Sequence, residues 1–255
     1  MFLTSRLVTF AGLLSLGFAS LCAYAGTASS NMNVAGIGSE SGGDGLDQSP
    51  ADGSINWPMF KNQTSRLGFN ALETLIGKNN AQFLTLSWVG VLGDLVDYSS
   101  PAVVNGIVYV GSIDGNLYAF DANGCGQSSC NPLWVGTMNN QYYTLSSPAV
   151  VNGTVFIGSE DHKLYAFAAK GCNQGTCSPL WTGVTGGAVF SSPVVANNIV
   201  YVGSEDHRLY AFSANGCGGR PTCPPLWMAN TNGPIDSSPT IDNDLVYVGS
   251  QDGKL

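Results

Sequence analysis

Side chains that could do chemistry are plentiful in this 255-residue chain, and their spacing bears on whether they do it. Acidic pairs stand at Glu160-Asp161 and Glu205-Asp206, with single acids at the corresponding Asp114 and Asp252. Neighbouring carboxylates can pass protons as general acid and base or supply oxygen ligands to Ca²⁺. The only histidines, His162 and His207, directly follow those pairs. Serine pairs begin at Ser99, Ser146, Ser191 and Ser237. Beyond Cys22, six cysteines fall into three close pairs: Cys125 and Cys130, Cys172 and Cys177, Cys217 and Cys223.

Recurrence decides how these groups are read. The serine pairs step along the chain by 47, 45 and 46 residues, and the acids, histidines and cysteines keep the same period. A catalytic group is needed once, whereas a turn is needed in every repeat. The acids therefore read as turn chemistry, since Asp and Gly suit tight turns, and the histidines as surface residues beside Lys163 and Arg208. No Gly-x-Ser-x-Gly elbow surrounds the serines, and no phosphate-cradling Gly-x-x-x-x-Gly-Lys run is present. The cysteines allow two chemistries. Cys-x4-Cys pairs on separate repeats, with no His beside them, make poor four-ligand zinc sites. Fifteen disulfide connectivities are formally open, and we expect the pairing inside each loop.

The elements that carry these groups are short strands. Ala102-Val103-Val104 and Ile107-Val108-Tyr109-Val110 flank Asn105-Gly106, a strong hairpin signal because both turn positions favour φ > 0. Asn152-Gly153, Asn197-Asn198 and Asn243-Asp244 take its place in later copies. Asn116-Leu117-Tyr118-Ala119-Phe120 forms a third strand, with Leu117 and Ala119 on one face and Tyr118 and Phe120 on the other. Leu133-Trp134-Val135 makes a fourth, after the cysteine loop. A unit of this size cannot bury its own apolar face and must stack on its neighbours. The expected fold is all-β, with propeller blades of four antiparallel strands in a partial open arc of about four blades.

Composition places the chain outside the cell. Arg6 precedes an apolar run from Leu7 to Leu21, and Ala23-Tyr24-Ala25 supplies small residues for cleavage before Gly26, the pattern of an export signal. Cys22 offers a lipid-anchor alternative, against which Leu21 stands where a small residue is expected. Residues 26–53 read as a Gly/Ser-rich linker, residues 54–255 as the repeat domain, and local disulfides imply an oxidising compartment, secreted or periplasmic. Of 9 basic and 17 acidic residues only Arg6 lies in the signal, so the mature chain carries −9, a balance that disfavours nucleic acid and anionic membranes. The signal run is also short for a transmembrane span. Sequons at Asn62 and Asn152 are discounted, Asn152 lying in a hairpin turn.

These units resemble the propeller repeats of pyrroloquinoline-quinone (PQQ) enzymes and their non-enzymatic relatives, among them the outer-membrane assembly propellers. In that family an Ala, an Asp, a Gly and a Trp of each blade interlock with the next blade. Ala119, Asp121, Gly124 and Trp134 match here, as do Ala166, Gly171 and Trp181, then Ala211, Gly216 and Trp227. Ala168 and Ser213 stand in the Asp place, and the cysteine loops lengthen the stretch between Gly and Trp, departures expected to weaken the interlock. Asn56-Trp57-Pro58-Met59-Phe60, with Arg66 to Asn70, resembles the opening segment of secreted members. For an enzyme the resemblance implies adjacent cysteines, a Trp floor, Ca²⁺ ligands and an Asp base on the axis. No two cysteines are neighbours here.

The expectation is a secreted, non-enzymatic scaffold without cofactor, binding a protein or glycan partner. The alternatives are a PQQ- and Ca²⁺-dependent quinoprotein dehydrogenase and an outer-membrane assembly propeller. The sequence stops at Leu255 inside a repeated strand, so a truncated propeller is also expected.

Overall fold

The computed structural model describes residues 56–66, 68, 76–138, 142–173 and 175–255. The expected signal and linker lie outside the described residues. β1 (Val89–Gly90) precedes three full blades. The first comprises β2 (Ala102–Val104), β3 (Ile107–Ser112), β4 (Asn116–Asp121), β5 (Ser129–Cys130) and β6 (Trp134–Thr137). The second comprises β7 (Ala149–Val151), β8 (Thr154–Ser159), β9 (Lys163–Ala168), β10 (Thr176–Cys177) and β11 (Trp181–Val184). The third comprises β12 (Val194–Ala196), β13 (Ile199–Ser204), β14 (Arg208–Ser213), β15 (Thr222–Cys223) and β16 (Trp227–Asn230), and β17 (Thr240–Asp242) with β18 (Leu245–Tyr247) begin a fourth.

Each blade is an antiparallel meander in the order β2-β3-β4-β6, repeated as β7-β8-β9-β11 and β12-β13-β14-β16. The hairpin turns hold Asn105 and Gly106 at φ 50° and 74°, and Asn243 and Asp244 at 47° and 64°. Those left-handed values explain why Asn, Asp and Gly alone occupy these places. The described blades stand as an open arc, with β2, β7, β12 and β17 side by side on its inner side.

Two details differ from the sequence reading. The second strand extends past Val110 through Gly111 to Ser112, and the fourth begins at Trp134 rather than Leu133. More consequentially, β5, β10 and β15, inside the cysteine loops, do not join their own blades. β10 pairs parallel with β6 of the preceding blade, matching Cys177 to Gly136, and β15 pairs with β11, matching Cys223 to Gly183. β5 does the same to β1. The loops thus add a fifth, parallel strand to the outer edge of the blade before, satisfying backbone groups that an edge strand would leave open.

Cores form between blades rather than within them. Leu117, Ala119 and Trp134 pack with Val155, Tyr165 and Phe167 of the next blade. Tyr118 and Phe120, on the opposite face of β4, pack with Leu92 of the preceding segment. All four residues 117–120 are buried, because stacked sheets cover both faces of a strand.

Candidate functional site

Antiparallel alternation puts the turn between the second and third strands at one end of each blade and the cysteine loop at the other. In the first group of turns, Asp114 accepts a hydrogen bond from Tyr118, Asp161 from Tyr165 and Asp206 from Tyr210. Lys163 Nζ also donates to Asp161, at 2.7 Å. The tyrosine oxygens in turn accept backbone N–H groups of the preceding connection: Gly93 at 2.9 Å to Tyr118 and Gly186 at 3.1 Å to Tyr210. Burial, reinforced by the neighbouring Asp114, pushes the Tyr118 hydroxyl up to about 12. Tyr165 rises for the same reasons, burial first and Asp161 second.

His162 and His207 are exposed turn residues at φ 68° and 69°, and it is their backbone that is used. The His162 carbonyl accepts both the N–H and the hydroxyl of Thr185, each at 2.9 Å. Thr231 repeats the arrangement on His207. Glu160 accepts the Tyr143 N–H at 3.1 Å. One Asp161 oxygen is buried without a partner, but no group of three or more His, Cys, Asp or Glu gathers to hold a metal among the described residues.

On the inner side the serines form a ladder across blades. The Ser100 N–H donates to Ser147 Oγ at 2.9 Å, Ser147 N–H to Ser192 Oγ at 2.9 Å and Ser192 N–H to Ser238 Oγ at 3.0 Å. The first serine of each pair accepts a glycine N–H of its own blade, as Ser146 does from Gly158 at 3.1 Å. Segment 56–66 runs across the same strands. Trp57 bridges Val103, the Pro58 carbonyl accepts the Val150 N–H at 2.7 Å, and the Thr64 carbonyl accepts the Ile241 N–H at 3.1 Å. Arg66 donates to four carbonyls, of Phe60, Ser192, Pro193 and Pro239. Its burial lowers the guanidinium to about 10, still charged at neutral pH.

At the outer rim the three disulfides join Cys125 to Cys130, Cys172 to Cys177 and Cys217 to Cys223. Beside each loop a tryptophan of one blade meets a glycine of the next. A Cβ on Gly171 would lie 2.6 Å from Trp134, and one on Gly216 would lie 2.8 Å from Trp181. The rings of Phe167 and Phe212 complete those contacts, with centroids 6.3 and 6.4 Å from the tryptophans. Ala119, Ala166 and Ala211 are fully buried opposite Trp134, Trp181 and Trp227 in register. Trp227 is 41% exposed, and Tyr201 of its own blade is its ring neighbour at 5.8 Å. The seam between the second and third blades leaves an open cavity of about 330 Å³, lined by Leu180, Trp181, Asn215 and Arg220 among others.

The Asp–Tyr pairs, the strap at 56–66 and Arg66 were not singled out in the sequence as joining elements. The recurrence of Tyr four residues after Asp, at 114/118, 161/165 and 206/210, is a signal that could have found the first. The described residues do not fit the quinone site that the resemblance implies. All six described cysteines sit in rim loops closed five or six residues apart, and among the described residues no three carboxylate, His or Cys side chains gather on the inner strands.

Comparisons with known proteins agree with this architecture. The structure is similar to the quinohemoprotein alcohol dehydrogenase of Comamonas testosteroni, with 18% identity, TM-score 0.62, and coverage of 81% of this chain and 37% of that one. It is similar to quinohemoprotein alcohol dehydrogenase ADHIIG of Pseudomonas putida HK5, with 19% identity, TM-score 0.61, and coverage of 78% and 35%. It is also similar to BamB of Moraxella catarrhalis, with 17% identity, TM-score 0.50, and coverage of 64% and 46%. The aligned part spans less than half the length of each. No curated protein matches the chain. Residues 127–255 match the family model described as outer membrane protein assembly factor BamB, and with its stacked four-stranded blades the chain belongs to that family of PQQ-like propeller repeats.

Proposed function

We propose that this protein is a non-enzymatic propeller scaffold, secreted or periplasmic, that presents its surface to a protein partner. The observation that carries the reading is how its reactive side chains are spent. Of the groups that could do chemistry, the serines bond blade to blade and the cysteines pin rim loops. Each Asp–Tyr pair closes a turn within its own blade, while Tyr118 and Tyr210 accept a backbone N–H of the preceding connection. A family model described as an assembly factor supports a protein as the partner class. One half-exposed leucine stands beside each rim loop, Leu133, Leu180 and Leu226, giving the surface a regular apolar feature. Repeat arrays characteristically bind through extended surfaces of this kind.

The test has two arms. Photo-crosslinkers placed at Leu133 and Leu180 in protein expressed in its own envelope should trap one defined protein, while the same group at the inner-side Ser100 should not. The oxidised protein, supplied with PQQ, Ca²⁺, a primary alcohol and an electron-accepting dye, should show no turnover above the dye blank. Quinone-dependent turnover would overturn the reading in favour of a dehydrogenase, which the fold likeness to the two alcohol dehydrogenases keeps as the second candidate.

A further inference from the structure

The seams at the outer rim are built alike and finished differently. Ala122, Ala169 and Ala214 stand in one place, each donating its N–H to the hairpin of its own blade. At the first seam the Trp88 indole donates to the Ala122 carbonyl at 3.2 Å, and at the second the Tyr109 hydroxyl donates to the Ala169 carbonyl at 2.9 Å. At the third, Phe156 takes the place of Tyr109 opposite its alanine and tryptophan, and has no hydroxyl to give to Ala214.

Two further changes fall at this third seam. Thr154 replaces Ile107, and the disulfide of the third blade closes over a separation of six residues instead of five. The added length is taken up by Gly218 and Gly219, in left-handed backbone at φ 76° and 80°. Here lies the cavity of about 330 Å³, lined by Thr154, Leu180, Trp181, Ala214, Asn215 and Arg220 among others. The second and third blades that bound it are each complete from first strand to fourth.

The lining has a definite chemistry. Arg220 brings a permanent, planar charge suited to a carboxylate. Leu180, 55% exposed, and Trp181 form an apolar wall. The Ala214 carbonyl offers an acceptor, and Thr154 and Asn215 offer both donors and acceptors. Charge points the same way. Segments 168–181 and 213–227 carry Lys170 and Arg220 and no acid, whereas the acids of these two blades, Glu160, Asp161, Glu205 and Asp206, lie in turns at the opposite end. An anion is therefore drawn to this end and repelled from the other. An apolar residue at the end of a polypeptide presents a carboxylate, an apolar side chain and an N–H donor together. A glutamate or aspartate side chain has no apolar branch of its own.

We propose that the seam cavity between the second and third blades captures the free C-terminal carboxylate of a partner polypeptide whose last residue is apolar. Arg220 pairs with the carboxylate, Leu180 and Trp181 take the side chain, and the Ala214 carbonyl takes the N–H. The proposal deepens the scaffold reading above and rests on its protein partner.

NMR titration of the oxidised full chain tests it, with the Trp181 indole N–H as reporter. The probes are acetyl-Ala-Ala-Leu as the free acid, the same peptide as its C-terminal amide, and acetyl-Ala-Ala-Glu amide. The free acid should bind about tenfold more tightly than either amide, or better, since a charged hydrogen bond is at stake. Arg220→Ala should abolish that preference, Arg220→Lys should keep part of it, and Lys170→Ala should leave it unchanged. Phe156→Tyr, which copies Tyr109 and supplies a hydroxyl to Ala214, should weaken binding severalfold. Equal binding of acid and amide, no binding of the acid at about 10 mM, or a preference that survives Arg220→Ala would overturn the proposal. So would a glutamate peptide that binds as well as the free acid, or acetyl-leucine that binds as tightly as the tripeptide, since the ligand would then be a side chain or a small acid. A protein trapped at Leu180 whose capture ignores Arg220→Ala would keep the scaffold reading and remove this one. Quinone-dependent turnover would remove the scaffold reading whatever the peptides do.

Discussion

Trp134 and Trp227 occupy one place in two copies of the same repeat, yet Trp134 is 4% exposed and Trp227 is 41% exposed. Within their blades the two are alike: Trp134 meets Tyr109 at 6.0 Å and Trp227 meets Tyr201 at 5.8 Å. The difference lies across the seam. Trp134 receives Gly171 and Phe167 from the second blade, and β10 covers the edge of its strand. β16 has no such cover among the described residues, and all four of its residues are exposed. The pairing of the two copies teaches that a blade supplies only half of each core, and that the other half belongs to whatever stacks on it.

The sharpest way to break that comparison is truncation at the two tryptophans. Trp134→Ala should cost about 3–5 kcal/mol, the range for emptying a buried aromatic site, and Trp227→Ala under about 1 kcal/mol, read from denaturant unfolding midpoints. Equal losses would show that the seam contributes little. Next in size, Gly136→Ala places a methyl group 2.9 Å from the Phe167 ring and should cost about 1–3 kcal/mol. Gly175→Ala meets nothing within 4 Å and should leave the midpoint where it is. Opening the third rim loop with Cys217→Ser/Cys223→Ser should cost roughly 2 kcal/mol, as expected for so short a closed loop, measured in the same way.

A smaller effect isolates the serine ladder. Ser192→Ala removes the oxygen that accepts the Ser147 N–H and should cost about 1 kcal/mol. Ser237→Ala acts only within the fourth, partly exposed unit and should cost less. Alkali probes the Asp–Tyr turns. The Tyr118 hydroxyl is raised from 10.0 to about 12 by burial and then by Asp114, so its stabilisation is complete below pH 10 and is lost as the pH rises towards 12. Tyr165 and Tyr210 shift in the same direction. Burial raises Tyr109 and Tyr201 as well, so Arg66, lowered to about 10, works in the opposite sense as one group against five tyrosines. Melting temperature followed from pH 8 to 12 should therefore hold steady to about pH 10 and then fall, and Tyr118→Phe should blunt the fall.

Much of the blade was legible in advance, for a local reason. Asn105-Gly106 demands a tight turn, and the Leu-Tyr-Ala-Phe strands announce stacked sheets, because a strand with both faces apolar needs cover on both sides. The roles of the cysteine loops were less legible. Their position between strands is written in the sequence, but a two-residue parallel strand such as Thr176–Cys177 has too short a pattern to reveal that its partner is Val135-Gly136, some forty residues earlier. Arg66 lay further out of reach. Its four acceptors are backbone carbonyls, which every residue has, drawn from segments as distant as Pro239.

By itself, then, the sequence determined the repeat, the turn chemistry inside each copy and the need for a neighbour. Those depend on residues close together in the chain, where side-chain type and spacing act directly on the backbone. Tertiary structure alone decided which blade each cysteine loop clasps, which serines join and what holds Arg66. These depend on groups brought together by stacking, and stacking distance has no counterpart in residue number.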